Sequence, residues 1–267
     1  MEDVKNVRLT PMPESKYVKP LRFHYTQNGK EKNWDLLAVH DSVAIVIYNV
    51  TRKVLVLVKQ FRPAMHFNSI LPEDREQQSI DLKKYPPSLG MALEICAGIV
   101  DKDKSVLDIA IEEVVEECGY DVPADKMEQI ISYRSGVGVQ AALQTLFFCE
   151  VTDDMKTERG GGVDDELIDI VEMSIPEMEA MLSSPGPLQS PPSFLFAMMW
   201  FMHHKASNFV LLMLVLVLNC ICVTGTNNTN FGDLCSKMVG GINRWINLYF
   251  QSLTNLRSLR LKGTGIF

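Results

Sequence analysis

Four glutamates in the middle of the chain are the residues best suited to chemistry: Glu112, Glu113, Glu116 and Glu117. They are three or four residues apart, so in a helix their carboxylates stand side by side and repel one another. A solvated helix face is the plain alternative for such a run of charges. The nearby basic residues Lys102 and Lys104 precede the predicted helix, however, and leave it without a cationic partner one turn away. A hard divalent cation shared with substrate phosphate would relieve the repulsion.

The residues around these glutamates predict an amphipathic helix with defined ends. Ser105 can cap its start, with Asp108 three residues further on, and Gly119 suits the left-handed backbone that ends a helix. An apolar stripe with helical spacing should face a core: Leu107, Ala110, Ile111, Val114, Val115 and Cys118. The carboxylates are then left on the other face.

Composition limits the possible functions. The chain has 267 residues, 46% of them hydrophobic, with a formal charge of −7 and a pI near 5.3, enough for one large or two small domains. The acidic balance argues against general nucleic-acid binding. No apolar signal segment precedes residue 20, and Cys96, Cys118 and Cys149 lie in apolar runs without paired spacing. We therefore expect reduced cysteines and a cytoplasmic protein.

Strand and helix patterns alternate along the chain. A hairpin over residues 17–39 turns at Asn28-Gly29, and helices are expected over residues 176–183 and 193–205. Residues 64–90 have the composition of a surface insertion, and the Gly-rich stretch 157–165 that of a mobile loop. Further strands are predicted over residues 42–48, 54–60, 91–100, 129–134, 145–151 and 167–173.

The stretch from Gly98 to Tyr120 resembles the Nudix box, G-x5-E-x7-R-E-U-x-E-E-x-G-U, where U is a bulky apolar residue. The matching residues are Gly98, Glu113, Val114, Glu116, Glu117, Gly119 and Tyr120. Lys104 stands where the family has Glu, and Glu112 where it has Arg. In the family that Arg helps to orient the metal-binding carboxylates, so the departure bears on catalytic rate more than on fold.

Other segments resemble the ADP-sugar pyrophosphatase branch of this family. They are the run VLVKQFRP around Arg62, the loop SGVGVQAALQ, and the position of Glu166 before a strand; the first two are also similar to UDP-glucose pyrophosphatases. The resemblance implies an α/β Nudix fold, with a mixed β-sheet between helices. It also implies an N-terminal β region over residues 1–40 used in homodimerisation, a Nudix domain over 41–205, and an atypical extension over 206–267.

The resemblance also implies roles for individual residues. Glu113, Glu116, Glu117 and the Ala97 carbonyl would hold Mg²⁺, or Mn²⁺ in its place. Glu166 would be the general base, with Asp165 as the substitute candidate. The remaining roles concern substrate: Arg62 would bind phosphate, Glu94 would lie at the substrate, and Trp34 would stack on the base. From composition alone, Trp34 is a packing residue and Arg62 a surface residue.

The expected activity is Mg²⁺-dependent hydrolysis of a nucleoside diphosphate sugar, UDP-glucose to UMP and glucose 1-phosphate. The alternatives are an ADP-ribose pyrophosphatase, and a weakly active nucleotide-sugar-binding protein tethered by its tail. The tail over residues 208–267 does not resemble the family, and its apolar run 209–223 is short for a membrane span. A buried helix, a membrane-associated tail and an isoform-specific extension remain open. The sequence favours the extension, and membrane contact follows only if the tail anchors.

Overall fold

The computed structural model describes residues 4–12, 14, 15, 17–76, 79–163 and 166–206. The chain divides into two compact units, Met1–Met199 and Trp200–Phe267. Of the second unit, the structure describes residues 200–206, so the expectations for the tail lie outside the described residues. No helix among the described residues is long and apolar enough to cross a membrane.

An antiparallel hairpin, β1 (Lys19–Gln27) and β2 (Lys30–Ala38), comes first among the helices and strands of the described residues. Its turn residues Asn28 and Gly29 have φ values of 54° and 72°. Both values are positive, as a two-residue hairpin turn requires, and Asn-Gly is the pair that tolerates them best. The hairpin and its turn were therefore predictable from local sequence.

The central sheet has seven strands: β3 (Ser42–Asn49), β4 (Val54–Phe61), β5 (Met91–Glu94), β6 (Cys96–Ile99), β7 (Glu128–Ser135), β8 (Ala142–Val151) and β9 (Asp169–Ser174). β3 runs parallel to β8, and the other pairs are antiparallel. The mixed sheet confirms the predicted fold class. The strand predicted over residues 91–100 is two strands, because Ile95 separates β5 from β6.

β3 and β4 diverge and form a fork in the sheet. They pair only near their connecting turn, where residues 47–49 lie opposite 54–56. Beyond this point β5 pairs with β4 and β6 pairs with β3, while β9 lies along the other edge of β4. The segment from Met91 to Ile99 therefore lies in the opening between the two diverging strands.

The main helices are α1 (Pro63–Ser69), α2 (Val106–Glu113), α3 (Ile175–Leu182) and α4 (Pro192–Phe201). One π-helical turn, Val114–Cys118, continues α2, and another, Met202–Ala206, follows α4. We call α2 with its π-helical turn the carboxylate helix. Its ends are as predicted, because Ser105 caps the start and Gly119 is left-handed with φ 71°.

The carboxylate helix packs most of its predicted apolar stripe into the main core, with Ile109 added and Val115 only partly buried. Ile109, Ala110, Val114 and Cys118 are fully buried against the apolar residues of β3 and β4. Burying a side chain such as that of Ile109 or Val114 contributes about 1.5–3 kcal/mol to the stability of the fold. These contacts hold the helix firmly on the sheet. Cys96, Cys118 and Cys149 are free and buried, so they lie in the core as predicted.

The insertion over residues 64–90 has more structure than its composition suggested. It contains α1 and a small apolar cluster formed by Ile70, Ile80 and Tyr85. His66 is buried, and its Nε2 lies 2.9 Å from the Tyr85 carbonyl oxygen. The prediction of a plain surface segment was therefore incomplete, because a few widely spaced apolar residues were enough to form a local core.

Candidate active site

A cleft of about 1060 Å³ opens where the fork meets the carboxylate helix and β7. Such a volume is large enough for a nucleotide-sized ligand, since small-molecule sites occupy about 300–1,000 Å³. Seven of the eight predicted site residues line it: Arg62, Glu94, Ala97, Glu113, Glu116, Glu117 and Glu166. Trp34 is not among the described residues of the lining.

Glu117 is the most enclosed carboxylate of the carboxylate helix. Only 4% of its surface is exposed, and its Oε2 accepts a 3.0 Å hydrogen bond from the Ala97 amide. Burial raises the pKa of Glu117 to about 8, although the hydrogen bond from Ala97 acts in the opposite direction. A bound cation would remove the cost of ionising this group.

The backbone of Ala97, in β6, contacts the carboxylate helix. It lies opposite Ala44 of β3, yet its amide points to Glu117 rather than to β3. In an antiparallel pair, the amide and carbonyl of one residue point to the same side. We therefore expect the Ala97 carbonyl also to face away from β3, on the side of the helix carboxylates.

Glu113 lies directly over Gly98, which has no side chain to obstruct it. A Cβ built on Gly98 would overlap the Glu113 carboxyl group, so this glycine is required for the close approach. Burial, and then the charge of Glu116, raises the pKa of Glu113 to about 7. A metal ion bound at Glu113 would offset this repulsion.

Arg62 forms a two-pronged ion pair with Glu94. Its Nε and Nη2 donate to the Glu94 carboxylate oxygens at 2.7 and 2.6 Å. Glu94 is 7% exposed, whereas 44% of the Arg62 side chain remains open to solvent. The pair lets a carboxylate be buried at the end of an apolar strand, and it fixes the direction of the guanidinium. The hydrogen bond to Glu94 raises the pKa of Arg62.

Glu112 points to the loop before the helix. Lys104 forms an ion pair with it, and Lys102 Nζ lies 3.3 Å from its Oε2. Glu112 has no basic partner one turn away in the helix, as predicted, but it does form ion pairs. Its partners come from the preceding loop, and spacing within a helix gives no signal for them. Lys102 also lines the cleft, near the other glutamates.

Glu166 reaches the cleft from the connection between β8 and β9. Its Oε2 accepts a 3.3 Å hydrogen bond from the Val163 amide, and its own amide donates to the Val163 carbonyl at 3.0 Å. The described part of this connection is attached to the carboxylate helix by several backbone hydrogen bonds. The alternative candidate Asp165 lies outside the described residues.

The opposite wall of the cleft contains residues that the sequence did not identify. Tyr133 donates to Gln144 Oε1 at 2.6 Å, and Gln144 Nε2 donates to Ser42 Oγ at 3.0 Å. The Tyr133 and Phe196 rings meet edge to face at 5.5 Å. The period-two spacing of Ile131, Tyr133 and Ser135, all in the lining, was the available signal, because alternate residues of a strand share a face.

Trp34 lies on β2 with 54% of its surface exposed. Its Nε1 donates a 2.8 Å hydrogen bond to the Gly138 carbonyl, so the ring is held against the glycine-containing loop after β7. In the single chain it is separate from the cleft lining. Its stacking on a nucleotide base stays a prediction.

The chain is similar to several enzymes of known name. It is 36% identical to "Uridine diphosphate glucose pyrophosphatase NUDT14" of Mus musculus over 212 residues, 75% of this chain and 95% of that protein. The Bos taurus protein of the same name is 34% identical over the same shares. "GDP-mannose pyrophosphatase" of Salmonella arizonae is 34% identical over 133 residues, 50% of this chain and 59% of that protein.

No protein-family model matches the chain. The family is instead shown by relatives that this chain covers almost completely, together with the mixed sheet and the carboxylate cleft. The chain therefore belongs to the Nudix hydrolases, in the branch that contains these sugar-nucleotide pyrophosphatases.

Proposed function

We propose that this chain hydrolyses the pyrophosphate bond of a nucleoside diphosphate sugar, and that UDP-glucose is the substrate, giving UMP and glucose 1-phosphate. The observation that carries the proposal is the meeting of Glu113, Glu116 and Glu117 with Arg62 in one cleft. Carboxylates with a neighbouring guanidinium suit a metal-bound pyrophosphate. The names of the relatives support the substrate class.

The donor set fits a hard divalent cation, which we propose is Mg²⁺, with Mn²⁺ as a substitute. Glu113, Glu116, Glu117 and the Ala97 carbonyl would hold it, since all offer oxygen ligands. Burial is the main cause of the raised pKa values of Glu113 and Glu117, and repulsion from neighbouring carboxylates adds to it, so a bound cation would favour their ionised forms. Among the described residues no three such side chains already stand as a metal-holding group, so the carboxylates would have to draw together around the cation. Mg²⁺ is commonly held by one or two carboxylates together with substrate phosphate oxygens.

When bound, the cation would neutralise charge on the pyrophosphate. Arg62 would bind a phosphate oxygen through the part of its guanidinium that Glu94 leaves open. Glu166 would take a proton from the attacking water as the new P–O bond forms. The bond from that phosphorus to the bridging oxygen breaks, and the second phosphate leaves with the bridging oxygen.

The N-terminal hairpin supports a homodimer. Phe23 lies opposite Trp34, and Leu21 opposite Leu36, so apolar side chains share one face of the hairpin. Phe23 and Trp34 are 58% and 54% exposed. A two-stranded hairpin is marginally stable in water, and although Trp34 and Leu37 hydrogen-bond the loop after β7, its exposed apolar side chains favour a covering surface. We propose that a second copy of the chain supplies it, with Trp34 at the interface, where it stacks on the base.

The test is hydrolysis of UDP-glucose, GDP-mannose and ADP-ribose, each with Mg²⁺ and with chelator, by wild-type protein beside Glu117→Gln. We expect metal-dependent release of UMP and glucose 1-phosphate from UDP-glucose, faster than cleavage of the other two. Glu117→Gln should lose about 10²-fold or more in kcat, the size of effect seen when a charge-stabilising group is removed.

Folded wild-type protein that binds UDP-glucose without cleaving any of the three substrates would contradict the proposal. A preference for ADP-ribose would keep the chemistry and replace the substrate. Sedimentation of wild type beside Phe23→Glu tests the dimer. A wild-type monomer at assay concentration would overturn the homodimer without affecting the proposed reaction.

A further inference from the structure

The C-terminal end of the carboxylate helix is capped by one short segment of the chain. The last four carbonyls of a helix have no partner within it. Here the segment over residues 156–162 supplies donors for four successive carbonyls. The pairs are Gly162 N to Glu116 O at 3.0 Å, Gly161 N to Glu117 O at 2.9 Å, Lys156 Nζ to Cys118 O at 2.8 Å, and Thr157 N to Gly119 O at 2.8 Å.

Three consecutive glycines make this approach possible. Gly160, Gly161 and Gly162 have φ values of 119°, 94° and 93°, which residues with a side chain rarely adopt. Gly160 also lies against the helix end, because a Cβ there would be 3.1 Å from the Gly119 amide nitrogen. The run therefore has a defined conformation attached to the helix, in contrast to the mobile loop that its composition predicts.

One of these glycines, Gly162, lies against Glu166. A Cβ built on Gly162 would be 2.7 Å from the Glu166 Cβ, closer than real Cβ contacts occur. The Gly161 carbonyl accepts a 3.1 Å hydrogen bond from the Ile168 amide, beyond Glu166. Gly162 therefore lies between two parts of the site. Its amide binds the helix end, and because it has no Cβ, Glu166 can pack directly against its backbone.

We propose that Gly162 is a positioning residue for the reaction. Its amide holds the helix end that carries Glu116 and Glu117, and its lack of a side chain sets how close Glu166 comes to those carboxylates. The separation between the base and the carboxylates is then fixed by backbone contacts. This inference rests on the proposed function, in particular on Glu166 as the base.

The test is a cycle of Gly162→Ala and Glu166→Gln, singly and together, assayed with UDP-glucose and Mg²⁺. We expect Gly162→Ala to lower kcat about 10²-fold with KM within about twofold, since a misplacement of about 1 Å can have that effect. If it acts through Glu166, it should lower kcat no further in the Glu166→Gln background. A decrease in kcat that is equal in both backgrounds would overturn the proposal.

Gly186→Ala is the matched control for backbone strain. Gly186 has φ 110°, and a Cβ there would meet nothing within 4 Å. It should lower the melting temperature as Gly162→Ala does, while kcat stays at the wild-type value. A matching loss of kcat in Gly186→Ala would assign the effect to strain alone and refute the positioning role.

A second variant guards against a protein that does not fold. Gly162→Asn tolerates positive φ better than alanine but still collides with Glu166, so it should show the same loss of kcat. Wild-type kcat in folded Gly162→Asn would overturn the proposal. If Glu166→Gln itself keeps wild-type kcat, the assignment of the base fails, and the role of Gly162 fails with it. If Glu166→Gln lowers kcat and Gly162→Ala lowers it by the same further factor in that background, the assignment of Glu166 as the base stands. Only the positioning role of Gly162 is then refuted.

Discussion

Lys104 and Glu112 form an ion pair that ties the loop before the carboxylate helix to the helix itself. These are the two positions at which the chain departs from the Nudix box, with a basic residue in place of Glu and an acidic one in place of Arg. The signs of the charges are exchanged, but a pair of opposite charges is present. Glu112 therefore has a structural partner, and its departure from the family pattern does not leave an unpaired carboxylate.

Exchanging the two charges tests this pair. Lys104→Glu and Glu112→Lys should each lower the free energy of unfolding slightly, because the pair is partly exposed and like charges then face each other. The double variant should recover most of the lost free energy of unfolding. Any decrease in kcat of the single variants should likewise be mostly reversed in it. The measurement is urea unfolding and UDP-glucose turnover for all four proteins. A double variant as unstable as the sum of the singles would show that the pair contributes nothing.

A methyl group at Gly98 should disable the site without unfolding the protein. Because the added Cβ overlaps the Glu113 carboxyl group, we expect Gly98→Ala to displace Glu113 and lower kcat/KM about 10²-fold. Overpacking should also cost about 1–3 kcal/mol of unfolding free energy. Gly138→Ala is the control, since a Cβ there meets nothing within 4 Å and should leave turnover unchanged. Equal activity in the two variants would contradict the role of Gly98.

Local signals were sufficient for the hairpin turn and for both ends of the carboxylate helix. Ser105 and Gly119 act through their own backbone and side chain, so a short stretch of sequence contains the information. The break at Ile95 was not predictable, because it arises from pairing with two different strands. Glycine-rich composition indicated mobility over residues 157–165, whereas backbone hydrogen bonds to the helix end attach its described part. Composition does not encode such distant partners.

Stability should fall as pH rises in the metal-free protein. Folding raises the pKa of Glu117 from 4.5 to about 8 and that of Glu113 to about 7. Between pH 4.5 and these raised pKa values, the folded state holds more protons than the unfolded state. The stabilisation that the two protonated carboxyl groups give to the folded state is therefore complete below pH 4.5 and is lost as pH rises through 7–8. Glu117→Gln should therefore show a smaller decrease in the free energy of unfolding over this window.

The same titration predicts how Mg²⁺ affects stability. The cation binds ionised carboxylates, so it should raise the melting temperature more at about pH 8.5 than at about pH 5.5. Urea titrations of chelated wild type and Glu117→Gln, followed by thermal scans with Mg²⁺, measure both effects. Identical pH slopes for the two proteins would show that Glu117 is ionised at neutral pH without metal.

The Arg62–Glu94 pair should have separable roles in stability and in substrate binding. Arg62→Met leaves the Glu94 carboxylate buried without its partner, so we expect the free energy of unfolding to fall by about 2 kcal/mol. This is less than for a fully buried ion pair, because Arg62 is partly exposed to solvent. Adding Glu94→Gln removes the uncompensated charge and should restore most of that stability. It should not restore turnover, since the proposed phosphate ligand is still missing. Arg62→Lys keeps the charge but loses the fork geometry, and should raise KM about tenfold. Urea unfolding and UDP-glucose kinetics on these variants separate the two roles. If the double variant recovered both the free energy of unfolding and turnover, Arg62 would serve only to neutralise Glu94.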